Sequence, residues 1–414
     1  MNHVDMPVDG VLDGAGDVRV LLGLAQVDDQ AASIADGIMW ARLRAMRGHL
    51  HRIFSGSGSD LLVAAAKERY GQLTPAHQAR VLLSSEFCDR QMAWNHAWRR
   101  VPRGEGGGAS EQVGPLRDIF EILCREHAIA GLLGGSTDEH LRRSEQWQVY
   151  SPAGDVVALK GEDGHWRLES LPTIGGSVAV DFDSPSARLH EPRSGILSQP
   201  CLPFLAAERT ALLEKLERAL GLIDACEPFY GQLIRTFVRR IIVRKSQSDG
   251  DAVSLHYGSE HAPRHPGSLR LLNFHRTQVS VEACMESLMH ESTHNFLAAW
   301  ELSQGFLAGN DDSVRVISPW SGNPIPASSF IHAVFVYYIC HRLHEQRLQR
   351  EQALSSAVRG FIEGRLAVCA AGFLIARPLS SLLPADAALR PGIAALLDEM
   401  QAGMRGQYAA KVWA

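Results

Sequence analysis

Between Val281 and Leu302 the chain carries an apolar run that nonetheless contains His290, Glu291 and His294 in the pattern H-E-x-x-H. This stretch constrains the fold more tightly than any other. Ser280 fits an N-cap, Glu282 and Glu286 favour the first turns, and Cys284, Leu288, Phe296, Leu297 and Trp300 predict a largely buried helix. Two imidazoles on such a helix need partners for their nitrogens. Residues four apart share a face, with β-carbons about 5–6 Å apart, so the two rings can converge on one divalent metal. Glu291 is turned about 100° around the axis, where its carboxylate reaches a metal-bound water or a neighbouring partner without being a ligand. The competing reading is a pair of hydrogen-bonded core histidines.

The rest of the composition narrows the function classes. With 414 residues, 45% of them hydrophobic, the chain can bury a large core. A net charge of −5 with scattered basic residues gives no electrostatic footprint for nucleic acid. No stretch has the length and purity of a membrane span, and Met1–Gly16 carries three Asp and no basic n-region, unlike a secretory signal. A cytoplasmic protein is therefore expected. Seven widely spaced cysteines without C-x-x-C read as free, mostly buried thiols.

The periodicities predict an α+β fold, predominantly helical, in three regions. Residues 1–145 form a helical N-terminal lobe, with helices over 18–53, from Thr74-Pro75 to about Trp98, and over 114–133 ending at Gly134-Gly135. The Gly-rich stretch from Arg103 to Ser110 reads as a loop. Residues 146–204 hold a small antiparallel sheet built from runs at 147–150, 156–159, 165–168 and 178–182. Residues 205–414 form a helical metal-binding half, with a helix from Ala206 broken near Pro228. Strands over 238–245 and 269–274 flank a turn holding His256, His261 and His265, which reads as exposed.

Two histidines leave a metal short of protein ligands. In the extended zinc-protease pattern the next ligand falls at position 300, which is Trp300. Glu301 lies about 10 Å further along the same helix. Glu345 and Glu363 sit beside Arg342, Arg347 and Arg365, on what read as solvated faces. His332, a histidine near the start of the apolar helix that opens at Phe330, is the expected third ligand.

From about Ala206 onward the chain resembles the HExxH-motif peptide-modification proteins of ribosomal natural-product pathways. The resemblance rests on Leu220–Tyr230, on Leu288–Leu297, on Ser318-Pro319-Trp320 with its Pro-rich loop, and on Ile331–Phe335. It departs from the family at Ser321 and Ile325, where arginine is common. The resemblance implies an iron(II)/2-oxoglutarate-dependent hydroxylase using O2 on a peptide substrate, such as a ribosomal precursor peptide, most simply at a side-chain β-carbon. His290, His294 and His332 would then hold the iron, and Arg342 or Arg365 would pair with the distal carboxylate of 2-oxoglutarate. Glu291 is expected to orient a ligand or hold the substrate. The alternatives are a zinc metallopeptidase with Glu291 as general base, a hydroxylase of a free or carrier-bound amino acid, and a non-catalytic peptide binder using the central sheet.

Overall fold

The structure, a computed structural model, describes residues 30–412 except 57–60, 101–108, 193–194, 249–253, 262–265, 304–305, 308–313, 352, 385–386, 388 and 391. The expected helix start at 18–29, most of the Gly-rich loop and His265 lie outside these residues. The fold is predominantly helical α+β, in two compact units, 39–303 and 1–38 with 304–414.

The first unit begins with helices α1 (Gln30–Gly56, of which it includes residues from Met39), α2 (Leu61–Gln72), α3 (Pro75–Leu82), α4 (Ser85–Arg100) and α5 (Ala109–Leu133), then the short α6 (Glu139–Arg143). Their apolar stripes meet in a core that includes Met46, Leu50, Val81, Phe87, Ile119 and Leu123. Helix α3 opens as its sequence predicts: Pro75 is at the first position and the Thr74 hydroxyl accepts from the His77 amide.

Strands β1 (Gln148–Tyr150), β2 (Val156–Lys160) and β3 (Trp166–Ser170) form a three-stranded antiparallel sheet in that order. The expected fourth member, Val178–Asp181, does not join it. That strand, β5, pairs antiparallel with β4 (Thr173–Ile174) and parallel with β6 (Arg240–Arg244) in a separate five-stranded mixed sheet. The same sheet holds β7 (Gly258–His261) and β8 (Ser268–Leu272), in the order β4-β5-β6-β8-β7. Its strands are buried through Val178–Asp181 and Arg240–Arg244, which a parallel pairing covered on both faces requires.

Strand alternation sorts the two faces of this sheet. Asp181, Arg240, Arg244, Arg270 and Glu260 fall on one side. Val180, Ile241, Val243, Leu269, Leu271, Ser259 and His261 fall on the other, toward helices α8 (Ala206–Cys226), α9 (Pro228–Phe237) and α10 (Val281–Ser303). The charged side is closed by internal partners: Arg240 donates to Ser85, and Arg244 donates to the carbonyls of Ala187 and Leu189. A short helix, α7 (Pro185–Arg188), lies in that covering segment.

The second unit pairs α11 (Ala327–Arg350) with α12 (Ser356–Ala371) and closes with α13 (Ile393–Val412). Ahead of them a two-stranded ribbon, β9 (Arg315–Ile317) and β10 (Pro324–Pro326), brackets the Ser-Pro-Trp turn. There the Trp320 indole stacks on Tyr337 at 4.6 Å and donates its N–H to the Cys369 carbonyl at 3.0 Å. Gly372 is obligatory beneath it, because a β-carbon there would overlap the indole. Among the described residues no helix is long and apolar enough to cross a membrane.

Candidate metal centre

Helix α10 spans the predicted stretch, and the Ser280 hydroxyl accepts from the Ala283 amide at its start. Three anchors fix it. The Lys215 ammonium donates to the carbonyls of Phe274, Arg276 and Val279, closing the turn ahead of the helix. Asn295, next to His294, accepts from the Gly267 amide at 2.6 Å and donates to the Ser268 carbonyl at 3.2 Å, tying the helix to the head of β8. Phe296 packs edge-on against Phe237 of α9 at 5.3 Å.

With the helix so fixed, one ligand atom each from His290, Glu291 and His294 lies within 4.8 Å of the others. The two imidazole centroids are 5.1 Å apart. Two rings sharing an ion at metal–nitrogen distances near 2.1 Å would place their centroids about 5 Å apart, so the donor pair fits one divalent metal. The His290 side chain keeps 29% of its surface exposed while that of Glu291 keeps 4%, so the imidazole meets solvent and the carboxylate does not.

The surroundings of Glu291 come from the edge strand β7. Ser259 donates its hydroxyl hydrogen to Glu291 Oε1 at 2.7 Å, and the backbone amide of His261 donates to the same carboxylate. Oε1 lies 3.9 Å from His290 Nε2. Burial raises the Glu291 carboxyl above the usual carboxylate range, against the opposing pull of His290 and of the two hydrogen bonds. One residue apart from Ser259 and His261, Glu260 points to the opposite face. There it pairs with Arg270 at 2.7 Å and accepts from the Ile196 amide at 3.2 Å. Strand β7 is thus held from both faces.

His261 departs from its expected place in an exposed turn. It is the last residue of β7, half-buried, and its ring lies 5.5 Å from that of His294 with the planes 17° apart. Neither this histidine nor Ser259 follows from sequence periodicity, because Gly-Ser-Glu-His has no apolar alternation to mark a strand. His256 does sit in an exposed segment, where its carbonyl accepts from Asn273 at 2.7 Å.

The other predicted site residues belong to the second unit. His332 lies in the second turn of α11, half-buried, with its ring edge-on to Phe306 at 5.7 Å. Arg342, ten residues on and so about 15 Å along the axis, faces Glu345 at 4.0 Å. Arg365 is half-buried within α12. No protein-family model matches the chain, and no curated protein matches it.

Proposed function

We propose that the chain is an iron(II)/2-oxoglutarate-dependent oxygenase that hydroxylates an unactivated carbon, most simply a side-chain β-carbon, of a peptide substrate in ribosomal natural-product biosynthesis. His290 and His294 hold the metal, and His332 is the third ligand. When bound, iron, 2-oxoglutarate and O2 supply the oxidation: one oxygen atom goes to the substrate carbon and the other to succinate, with loss of carbon dioxide. The protein's part is to present neutral imidazoles, which leave the ion its positive charge and so favour a dianionic co-substrate. Arg342 and Arg365 are the proposed cations for the distal carboxylate of that co-substrate.

The observation that carries this reading over hydrolysis is the engagement of Glu291. The carboxylate oxygen nearest His290 already accepts from Ser259, and the His261 amide donates to the same group. A residue so used ties the metal helix to the edge strand, a positioning role that calls for no proton transfer from water. The test is anaerobic purification, iron loading and incubation with 2-oxoglutarate and a precursor peptide. Succinate and a product one oxygen atom heavier, both requiring O2, are expected.

A zinc metallopeptidase is the second reading. The raised Glu291 carboxyl and its closeness to both imidazoles favour it. Tight zinc binding and peptide cleavage without oxygen would establish it instead. Hydroxylation of a free or carrier-bound amino acid shares the same centre and is separated from peptide hydroxylation by the choice of substrate.

A further inference from the structure

Along the β1 edge of the three-stranded sheet, within the first unit, lies a cleft of about 1380 Å³. One wall is the outer edge of β1; the other includes Asp118, Glu121 and Arg125 of α5. The hydrogen-bond pattern shows which backbone groups of β1 face it. Lys160 donates to the Trp147 carbonyl, and the Ser151 amide donates to the Val156 carbonyl, so residues 147 and 151 point at β2. Alternation then turns the backbone groups of Gln148 and Tyr150 into the cleft. The Tyr150 carbonyl accepts from Arg125 at 3.2 Å, which marks one end of the open edge. Among the described residues this leaves the Gln148 amide and carbonyl and the Tyr150 amide open, the spacing with which an added strand pairs.

The charges say what kind of strand. Each arginine bordering the cleft already has a carboxylate: Arg69 with Asp138, Arg90 with Asp118, Arg125 with Glu86, Arg143 with Glu139 and Arg270 with Glu260. Glu121, Glu145 and Glu191 also border it, are exposed, and have no cation against them among the described residues. The uncompensated charge is therefore negative.

We propose that this cleft binds a basic segment of peptide in extended form, which adds to the free edge of β1 while its lysine or arginine side chains meet Glu121, Glu145 and Glu191. The proposal extends the peptide-substrate reading above by giving the peptide a docking groove apart from the metal pair. Backbone pairing supplies affinity without a fixed sequence, and the glutamates supply the preference for positive charge.

The test uses the full chain without added metal. The probe is a short fluorescein-labelled peptide of alternating lysine and threonine, read by anisotropy. It is expected to bind, and binding is expected to weaken roughly tenfold or more when lysine is replaced by glutamate in the probe or when Glu121→Lys and Glu145→Lys are combined in the protein. Gln148→Pro removes one outward amide without touching the β1–β2 ladder, and a similar loss is expected. A fully N-methylated probe keeps its charges but has no amide hydrogens. It examines the same pairing on unaltered protein, so a misfolded proline variant does not decide the matter. Equal binding of the plain and N-methylated probes, or of the lysine and glutamate probes, overturns the proposal. Because the assay needs no metal, groove binding with no hydroxylation would count against the catalytic reading alone, and hydroxylation of a basic peptide with no groove binding would count against the groove alone.

Discussion

Ser259 and Glu291 are joined by a hydroxyl-to-carboxylate hydrogen bond of 2.7 Å, and through it the outermost strand of the mixed sheet is fastened to the helix that carries the metal pair. The strand's alternation makes this possible: Ser259 and His261 face the helix while Glu260 faces Arg270 behind it. A hydrogen bond to a charged acceptor contributes about 1.5–3 kcal/mol. Ser259→Ala is therefore expected to lower stability by about that amount in urea unfolding, and Ser259→Thr, which keeps the hydroxyl, is expected to restore most of it. An unchanged midpoint in Ser259→Ala would show that the bond contributes nothing to holding the strand.

Glu291→Gln separates the two chemical readings. The amide oxygen can accept from one of the two donors, and the NH2 can donate to the Ser259 hydroxyl, which both gives and takes a hydrogen bond, so the strand is expected to stay in place and the two histidines to keep the metal. On the oxygenase reading this variant retains succinate formation within roughly tenfold of the parent. A general base replaced by an amide typically loses roughly 100-fold or more. The measurement is turnover together with metal content, so that loss of the ion is not mistaken for loss of a base.

Metal content also examines the ligand set. His290→Ala and His294→Ala are each expected to abolish iron binding at micromolar concentration, since either leaves a single imidazole from α10. His332→Ala is expected to weaken it by roughly 10-fold to 100-fold or more, as removal of a third ligand should. Full iron occupancy in His332→Ala would exclude that residue from the centre. His261→Ala belongs in the same series: its ring touches His294 from β7, so a change in the d–d spectrum of the cobalt-substituted protein is expected with the metal still bound.

Much of this architecture is written locally in the chain. The H-E-x-x-H helix appears with its predicted start because Ser280 caps it and its apolar positions recur around a buried helix. Thr74-Pro75 opens a helix for equally local reasons. What local pattern does not carry is pairing between distant segments. Val178–Asp181 reads as one more short strand after three antiparallel ones, yet its neighbour is Arg240–Arg244, some sixty residues on, in parallel register. The same holds at the candidate site. His261 looks like a turn histidine in a Pro-rich stretch, and only its pairing with Leu269 turns it toward His294.

The cysteines make a prediction that rests on burial alone. Seven free thiols are present, and Cys201 is the exposed one, while Cys88, Cys124, Cys226, Cys284, Cys340 and Cys369 are buried. Burial pushes the Cys284 thiol up to about 12 and the Cys124 thiol up to about 11, so neither supplies thiolate at neutral pH. Native protein is expected to release one equivalent of thionitrobenzoate rapidly and the denatured protein all seven. Cys201→Ser should remove the rapid phase. A rapid phase that survives would place another thiol at the surface.

Arg80 gives the sharpest test of how the helical layer is joined to the β1–β2 hairpin. Its guanidinium donates to Glu126 at 2.8 Å and to both oxygens of Asp155. The Glu126 side chain is fully buried, and among the described residues its other partner is His77 at 2.6 Å. Removing one member of such a set leaves a charge without compensation, so Arg80→Ala is expected to cost about 3 kcal/mol. The pH dependence follows from Asp155. Burial pushes its carboxyl up, but the hydrogen bonds and charge of Arg80, with the Ser151 hydroxyl, outweigh that and hold it below the usual carboxylate range. A carboxyl depressed in the folded state stabilises fully above its unfolded value of about 3.9 and loses that contribution as the pH falls through the folded value. Melting temperature should therefore drop steeply below about pH 4, and Asp155→Asn, less stable at neutral pH, should show a shallower drop. Parallel curves for the two proteins would mean that the Arg80–Asp155 pair is not what acid breaks.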